Sequence, residues 1–467
     1  MKISKILSSL ALGMFLAALD QTVISTASLK IAEHFHHVAD QSWLMTIYIA
    51  ASLLTTPIYG RLSDSYGRRR LFLIGLSLFG VGSTLAAIAP NFDLIVAARG
   101  IQGLGAGGLF SLAFAVIADL VPVKERGRYI FLFVLIFGSA SILGPVLGGM
   151  IASQSSIVGI AGWRWIFIFN IPFLLLALIQ AAKHLPSISH LNIASFDWWG
   201  TLLFGIVIFG VLAVAQVSRG IYSTASQVIA ILTLLISLIG FVARERLKGL
   251  EALFPLIFFK NKAFGLTVLT SAVASGAMLV AMAVSSLSIQ VVEQRSPSVA
   301  GVVLLSIGFG NLFGSGYANR IFAKELSHRL LAAVGLIILG TGFVPMIFST
   351  KILPISIGLF LLGIGTGLIN QFTSVMAPST LGDTNRGSAS AINTLMRQVG
   401  GLLGVSCSMA SIFYVWKVSV GFTANGLTHQ QRIDFVGAVR PVYIASAVIV
   451  FAMAALAQHM PTPRILD

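Results

Sequence analysis

Three ionisable side chains lie inside long apolar stretches of this sequence, and they are the residues best suited to chemistry. Asp20, Arg99 and Arg397 are each flanked by runs of hydrophobic residues. A charge at the centre of a membrane-spanning helix costs about 2.5–3.5 kcal/mol on insertion scales, so such groups often mark functional sites. Burial raises the pKa of a carboxyl group and a neighbouring cation lowers it, so a carboxylate beside a movable arginine can bind and release a proton. A structural ion pair is the alternative interpretation.

The positions of these residues along their spans predict which of them meet. Asp20 lies about 21 Å into a span that starts at the cytoplasmic side, at a rise of ~1.5 Å per residue. Arg99 lies about 9 Å into a span that starts outside, which again is about 21 Å above the inner edge of a ~30 Å hydrocarbon core. We therefore expect Asp20 and Arg99 to face one another. Arg397 lies near the midplane with Asn393 close in sequence, and cavity-lining and structural roles are both open for it.

Composition identifies the class of protein that must position these groups. The chain has 467 residues, of which 57% are hydrophobic and 10% are charged. Soluble domains carry about 25% charged residues, so the chain is predicted to be a polytopic membrane protein. The net charge of +15 is explained by lysines and arginines in cytoplasmic loops, which anionic lipid attracts. Nucleic-acid binding is disfavoured, because the chain has no basic domain outside the spans. No cofactor or resident metal ion is expected, because the histidines at 34, 36 and 37 fit an exposed polar loop better than a metal site.

Hydropathy predicts an all-α fold with fourteen spans. An even number of spans places both termini on one side of the membrane. Most lysines and arginines lie on that same side, so both termini are predicted to be cytoplasmic. The predicted spans are 6–28, 43–60, 71–90, 93–120, 129–153, 164–184, 198–217, 226–243, 263–290, 298–319, 328–349, 353–378, 387–416 and 440–459.

The chain also repeats itself. Five pairs of residues share one separation of 260 positions, and they are Gly103 and Gly363, Gly105 and Gly365, Gly107 and Gly367, Arg126 and Arg386, and Gly127 and Gly387. The twelfth span therefore corresponds to the fourth. This predicts two pseudo-symmetric six-helix bundles, residues 1–185 and 263–467, with two inserted helices in residues 186–262 between them. Two repeated halves are typical of transporters.

A short basic turn between the second and third spans is a candidate cytoplasmic gate. It begins at Gly60 and contains Asp64, Gly67 and Arg68. Asp64 is placed to cap the third helix, where the helix dipole favours a negative charge. Arg68 would then be free to reach Asp119 at the cytoplasmic end of the fourth span. Such a latch suits a two-state gate, and an ordinary surface salt bridge is the alternative.

A proline-containing stretch in the fifth span is the next candidate. Proline removes a backbone hydrogen bond and kinks a helix, while neighbouring glycines permit close helix packing. A kink without any functional role is the alternative. The residues concerned are Gly144, Pro145, Gly148 and Gly149.

These motifs together resemble the major facilitator superfamily, and within it the fourteen-helix drug/proton antiporter family. The resemblance rests on Leu19-Asp20-Gln21-Thr22-Val23, Gly60-x-Leu62-x-Asp64-x-x-Gly67-Arg68-Arg69-Arg70, Arg99-Gly100-Ile101-Gln102-Gly103, Gly144-Pro145-x-x-Gly148-Gly149, Trp163-Arg164-Trp165-Ile166-Phe167, Asn170-Ile171-Pro172 and Arg397-Gln398-x-Gly400-Gly401. It implies that Asp20 and Arg99 take part in proton coupling and that the Gly144–Gly149 stretch belongs to an antiporter. Ser25 and Leu29 depart from the family pattern of Asn and Pro, which leaves substrate preference open.

The sequence thus predicts a proton-coupled exporter of small apolar or amphipathic compounds that works by alternating access in a bacterial-type inner or plasma membrane. Gln21, Asn393 and Arg397 are the candidate cavity residues. Its expected partners are a small-molecule substrate, protons and membrane lipid, and we expect a monomer. A symporter or importer, or an exporter of one specific metabolite, is the alternative. An enzyme is disfavoured because the spans contain no paired carboxylates and no metal-binding set.

Overall fold

The computed structural model of the chain is almost entirely helical. It describes residues 2–120, 123–186, 197–217, 224–249, 252, 254–322, 328–381, 386–416 and 427–458. Within these ranges one antiparallel β-hairpin joins Ser156–Ile157 to Ile160–Ala161. Short 3-10 helices cover Val38–Asp40, Gly162–Arg164 and Leu256–Lys260. The predicted all-α class is confirmed.

The described chain forms two compact units. The first contains residues 1–198 and 296–302, and the second contains residues 199–295 and 303–467. The predicted boundaries at residues 185 and 262 stay a prediction. The helices, in chain order, are α1 Lys2–His34, α2 Trp43–Tyr66, α3 Arg68–Ile88, α4 Phe92–Leu120, α5 Val123–Ala152, α6 Trp165–His184, α7 Trp198–Val217, α8 Thr224–Lys248, α9 Lys262–Val291, α10 Pro297–Phe322, α11 His328–Thr341, α12 Phe343–Phe348, α13 Ile352–Ser379, α14 Arg386–Trp416 and α15 His429–Ala457.

Helix length and composition agree with a multi-pass membrane protein. Twelve helices in the described ranges are long and apolar enough to cross a membrane, and α11 with α12 supplies one of them over Leu330–Phe348. Two shorter apolar helices, Gly138–Ala152 and Trp198–Val214, lie where the fifth and seventh spans are predicted. The count of fourteen spans stays a prediction.

Glycine contacts position α4 and α13 in the same way in the two units. A methyl group added at Gly105 in α4 would approach the backbone of Phe79 in α3 to 2.6 Å. One added at Gly365 in α13 would approach the backbone of Leu339 in α11 to 2.6 Å. Both partners are themselves 260 positions apart, as the repeat predicts. Only glycine permits this backbone approach. The resulting van der Waals contacts hold the helices together in lipid, where the hydrophobic effect does not drive their association.

The basic turn is shorter than the sequence predicts. Helix α2 continues to Tyr66 and α3 begins at Arg68, so Gly67 is the sole residue between them. Gly67 has φ of +90°, a conformation that glycine adopts without steric cost. Gly67 is also the N-cap residue of α3, and Asp64 belongs to the last turn of α2. The side chain of Asp64 lies outside the described residues, so its capping interaction with α3 stays a prediction.

Several helices extend well beyond their predicted apolar spans, and α1 and α15 illustrate this at opposite ends of the chain. Helix α1 continues to His34, and α15 begins at His429, before the predicted start at 440. A capping box starts α15, in which Thr428 and Gln431 each accept from the other's backbone N–H. Hydropathy marks where a helix enters the hydrocarbon core, whereas caps mark where the helix begins.

Candidate functional site

The structure brings Asp20 and Arg99 together in the first unit, as their predicted depths require. Asp20 lies on α1 and Arg99 on α4, and each is only 1% exposed. Their side chains form an ion pair between Arg99 Nη1 and Asp20 Oδ2. The expected proximity is confirmed, while the role of the pair in proton coupling stays a prediction.

Arg99 is held by several further groups. Its Nε donates to the Leu44 carbonyl at 3.0 Å, and its Nη1 donates to Gln102 Oε1 at 2.8 Å. The guanidinium carbon lies 4.3 Å from the centre of the Tyr48 ring, which is a cation–π distance. These contacts satisfy a buried cation from three sides and fix its orientation toward α1.

The other oxygen of Asp20 accepts two amide hydrogen bonds. Asn170 Nδ2 on α6 donates to Asp20 Oδ1 at 3.1 Å, and Gln102 Nε2 donates to the same oxygen at 3.3 Å. Gln102 Nε2 also donates to Ser83 Oγ on α3 at 2.7 Å. Both carboxylate oxygens therefore face donors, an arrangement that suits the ionised form of the carboxyl group.

Sequence reasoning identified Asp20 and Arg99 but missed the supporting roles of Gln102, Asn170 and Tyr48. Gln102 is the residue that a sequence signal could have found, because it lies three positions after Arg99 and thus on the same face of α4. Asn170 and Tyr48 come from other helices. Their inward rotation depends on packing that no local spacing specifies.

The glycines of the fifth-span motif pack α5 against α1. Gly144 lies against Thr22, and Gly148 lies against Val23 and Thr26. Thr26 Oγ1 donates to the carbonyl of Pro145 at 3.1 Å. The close packing expected of these glycines is therefore confirmed. Their link to antiport stays a prediction.

The same stretch also contacts the start of α10, because residues 296–302 belong to the first unit. Ser298 Oγ donates to the Gly149 carbonyl at 3.1 Å and to Ser153 Oγ at 2.9 Å. A methyl group at Gly301 would approach the backbone of Pro145 to under 3.0 Å. The motif thus has two neighbours, α1 on one side and the start of α10 on the other.

The candidate gate is described in part. Arg68 Nη1 donates to the Gly60 carbonyl at 3.4 Å and to Ser63 Oγ. Both acceptors belong to the last turns of α2, so Arg68 ties α3 back to the helix that precedes it. The side chains of Asp64 and Asp119 lie outside the described residues, and the predicted latch between Arg68 and Asp119 stays a prediction.

The candidate cavity residues have different surroundings. Gln21 on α1 is half-buried. Asn393 on α14 is 3% exposed, and its Oδ1 has no hydrogen-bond partner in the described part of the chain. Arg397 is half-buried and forms no hydrogen bond or ion pair with any described residue. Asn393 and Arg397 lie one turn apart on α14, whereas Gln21 belongs to the other unit.

The repeated helical units and the buried charge network are features of a membrane transporter. The sequence model of the Major Facilitator Superfamily matches residues 10–405. That range covers most of the chain, so the protein belongs to the major facilitator superfamily.

Similar proteins include several efflux transporters. The chain is 29% identical over 405 residues to Multidrug resistance protein 3 of Bacillus subtilis, a match that covers 85% of this chain and 77% of the relative. It is 30% identical over 440 residues to the MFS-type efflux pump LUC4 of Fusarium sp, covering 91% and 77% of the two chains. The chain is thus an integral membrane transporter with multidrug efflux homologues.

Solved structures share its fold. A bacterial homologue of the human lysosomal transporter Spinster, in an inward-facing and unoccupied conformation, superposes with a TM-score of 0.71 at 16% identity and covers 98% of this chain and 97% of its own. A D-xylose-proton symporter superposes with a TM-score of 0.65 at 18% identity and 99% coverage of both chains. At these identities the likeness concerns the fold alone.

Proposed function

We propose that this protein is a proton-coupled antiporter that exports small apolar or amphipathic compounds by alternating access. The observation that carries the proposal is the buried Asp20–Arg99 pair with its amide donors. A buried ionisable carboxyl group inside a membrane bundle is costly, and a proton relay is a common reason for its presence. The names of the relatives support efflux as the direction of transport.

Asp20 is the proton-binding group in this proposal. When Asp20 is ionised, Arg99, Gln102 and Asn170 donate to its two oxygens. Protonation removes the negative charge, so the contact with Arg99 loses its ionic component. Arg99 keeps its bonds to Gln102 and the Leu44 carbonyl and stays with α4. Proton binding therefore weakens the contact between α1 and α4, and it provides the local change that biases a two-state transporter.

The other motifs have supporting roles. Residues Gly60, Asp64, Gly67, Arg68 and Asp119 form the cytoplasmic gate. The Gly144–Gly149 stretch couples α1 to α5. Thr22 and Thr26 of α1 donate hydrogen bonds to α5 carbonyl groups, so a movement of α1 acts directly on the α5 backbone. Fourteen spans, cytoplasmic termini, a plasma-membrane location and a monomeric state complete the proposal.

A vesicle assay tests the coupling. Purified protein is placed in liposomes with an acidic interior and a pH-sensitive dye, and a panel of lipophilic cations and neutral drugs is added outside. We expect some compounds to trigger proton efflux and Asp20→Asn to abolish it, because the amide keeps the shape of the carboxyl group but does not titrate. Asp93→Asn is the matched control, since Asp93 is an exposed acid in the first turn of α4.

Two results would contradict the proposal. Proton efflux that persists in folded Asp20→Asn protein would remove Asp20 as the coupling residue. Proton movement into the vesicles together with the added compound would indicate symport rather than antiport.

A further inference from the structure

We infer that Arg397 on α14 binds the carboxylate of an anionic, amphiphilic substrate, with Asn393 and Ser271 as neighbouring polar contacts. This inference deepens the proposed function and rests on it, because it names a class of compound that the exporter accepts. It concerns the second unit only.

Arg397 lies deep within the membrane-spanning part of its helix. It follows the first residue of α14 by about 16 Å at ~1.5 Å per residue, which is near the middle of a ~30 Å hydrocarbon core. Its side chain is half-buried. A guanidinium group at this depth is too costly to face lipid, so its exposed part must face an aqueous cavity.

Among the residues that the structure describes in the second unit, no carboxylate is placed to neutralise this charge. In the described residues, Glu245 lies near the end of α8 and accepts a hydrogen bond from the Phe254 backbone N–H at 2.7 Å. Glu293 follows the end of α9, and Asp434 lies in the first turns of α15. These acids are near helix ends, whereas Arg397 is near the middle of its helix. A ligand is therefore the counter-ion that the position calls for.

Other polar groups nearby also lack partners. Asn393 lies one turn before Arg397, and its buried Oδ1 accepts no hydrogen bond from a described residue. Ser271 Oγ on α9 is likewise buried and without a partner in the described ranges. Unpartnered buried polar atoms are rare in native proteins and call for an explanation. These two atoms and the unpaired guanidinium of Arg397, close to one depth, favour a binding site.

The packing of α14 on α9 places these three groups together. Gly400 packs against the Ala272 backbone, and Gly404 packs against Gly276, so the two helices run parallel in register. Asn393, Arg397, Gly400 and Gly404 have the spacing of one helical face, the face turned toward α9. Ser271 directly precedes Ala272. Arg397 therefore lies within about one helical turn of Ser271, a distance that an arginine side chain can reach.

The repeat argues against a framework role for Arg397. The residue 260 positions earlier, on α5, is Phe137. A group required for holding the bundle together would be expected in both units, as the α4 and α13 glycines are. Arg397 instead adds a charge to a position that is aromatic in the first unit.

The donors and acceptors define the ligand. Arg397 offers paired N–H donors that match a carboxylate, and the Ser271 hydroxyl can donate to the same group. Asn393 Oδ1 is an acceptor and fits a hydroxyl group on the ligand. The surrounding spans are apolar. The structure thus favours a hydroxylated organic acid with an apolar body.

Direct binding tests this inference without using transport. Full-length protein in lipid nanodiscs is titrated with 3-hydroxy-2-naphthoate and with its methyl ester, which lacks the charge, and binding is followed by ligand fluorescence. We expect the wild-type protein to bind the acid at least tenfold more tightly than the ester. Arg397→Gln should reduce that ratio to about one while leaving ester affinity unchanged, and Arg397→Lys should restore part of it.

Thermal unfolding of each variant checks that it is folded. Equal affinity of the wild-type protein for acid and ester would overturn the inference, and so would a folded Arg397→Gln variant that keeps the preference for the acid. Because proton efflux with neutral compounds tests the antiporter proposal separately, failure of one assay does not decide the other.

Discussion

The two units share one framework but differ in where they place charge. In the first unit, Asp20 and Arg99 form a buried pair with every carboxylate oxygen bonded. The residue 260 positions after Arg99 is Leu359 on α13, which is as deeply buried, at 0% exposed. The repeat thus preserves burial at this position and replaces a cation with an apolar side chain. Helix packing is the property the units share, and chemistry is the property that separates them.

The second unit has the opposite arrangement on α14. Arg397 has no partner among the described residues, although its counterpart Phe137 in the first unit is apolar. In the first unit the cation is neutralised by a carboxylate of the protein itself. In the second unit the unpaired cation can be neutralised by an anionic ligand. In the two proposals made above, the first unit binds the proton and the second unit binds the substrate.

Replacing the buried pair of the first unit with apolar residues gives the largest expected effect on stability. Arg99→Leu leaves Asp20 buried without its cation and should lower the free energy of unfolding by about 3–5 kcal/mol. The double variant Asp20→Val with Arg99→Leu replaces both members of the pair with apolar residues, as Leu359 replaces Arg99 in the second unit. It should recover at least half of that loss, because no charge is left unpaired.

Thermal unfolding of the single and double variants, analysed as a double-mutant cycle, measures this effect. A double variant that loses the sum of the two single losses would show that the pair is not an isolated replaceable element. Both variants should be inactive in proton-coupled transport.

Removing the Asn170 amide, which donates to Asp20, has the next largest expected effect on stability. Asn170→Ala removes a hydrogen bond to Asp20 Oδ1 and should cost about 1.5–3 kcal/mol, the range for hydrogen bonds to charged groups. Thermal unfolding of the variant measures this loss. Gln154→Ala at an exposed position is the control, and an Asn170→Ala protein with wild-type stability would show that this hydrogen bond does not stabilise the buried carboxylate.

Substitutions at the repeated glycines of α4 and α13 should lower stability equally in both units, and this is the smallest of the expected effects. Gly105→Ala and Gly365→Ala each force a methyl group against a neighbouring backbone and should destabilise by about 1–3 kcal/mol. Gly316→Ala is the matched control, because nothing lies within 4 Å of a methyl group there. Unfolding temperatures of the three variants test the prediction. Unequal losses at 105 and 365 would mean that the repeat does not extend to packing energy.

Sequence reasoning predicted the helical class, the repeat and the meeting of Asp20 with Arg99. These follow from hydropathy, from fixed spacing and from the constant rise of a helix, which are properties of the local chain. Asn170 and Tyr48 could not be found this way, because depth does not specify how a helix is rotated about its axis. The length of the turn at Gly67 was also missed, since polar residues around 61–66 continue a helix that hydropathy ends early.

The glycine contacts have a practical consequence for handling this protein. Contacts between helix backbones depend on close fit and dispersion forces, and these do not depend on the bilayer itself. Each unit should therefore keep its internal packing when detergent replaces the bilayer. Material extracted in a mild detergent is then a sound starting point for the binding and unfolding measurements, provided that the detergent shell is wide enough to cover helices of about 30 residues.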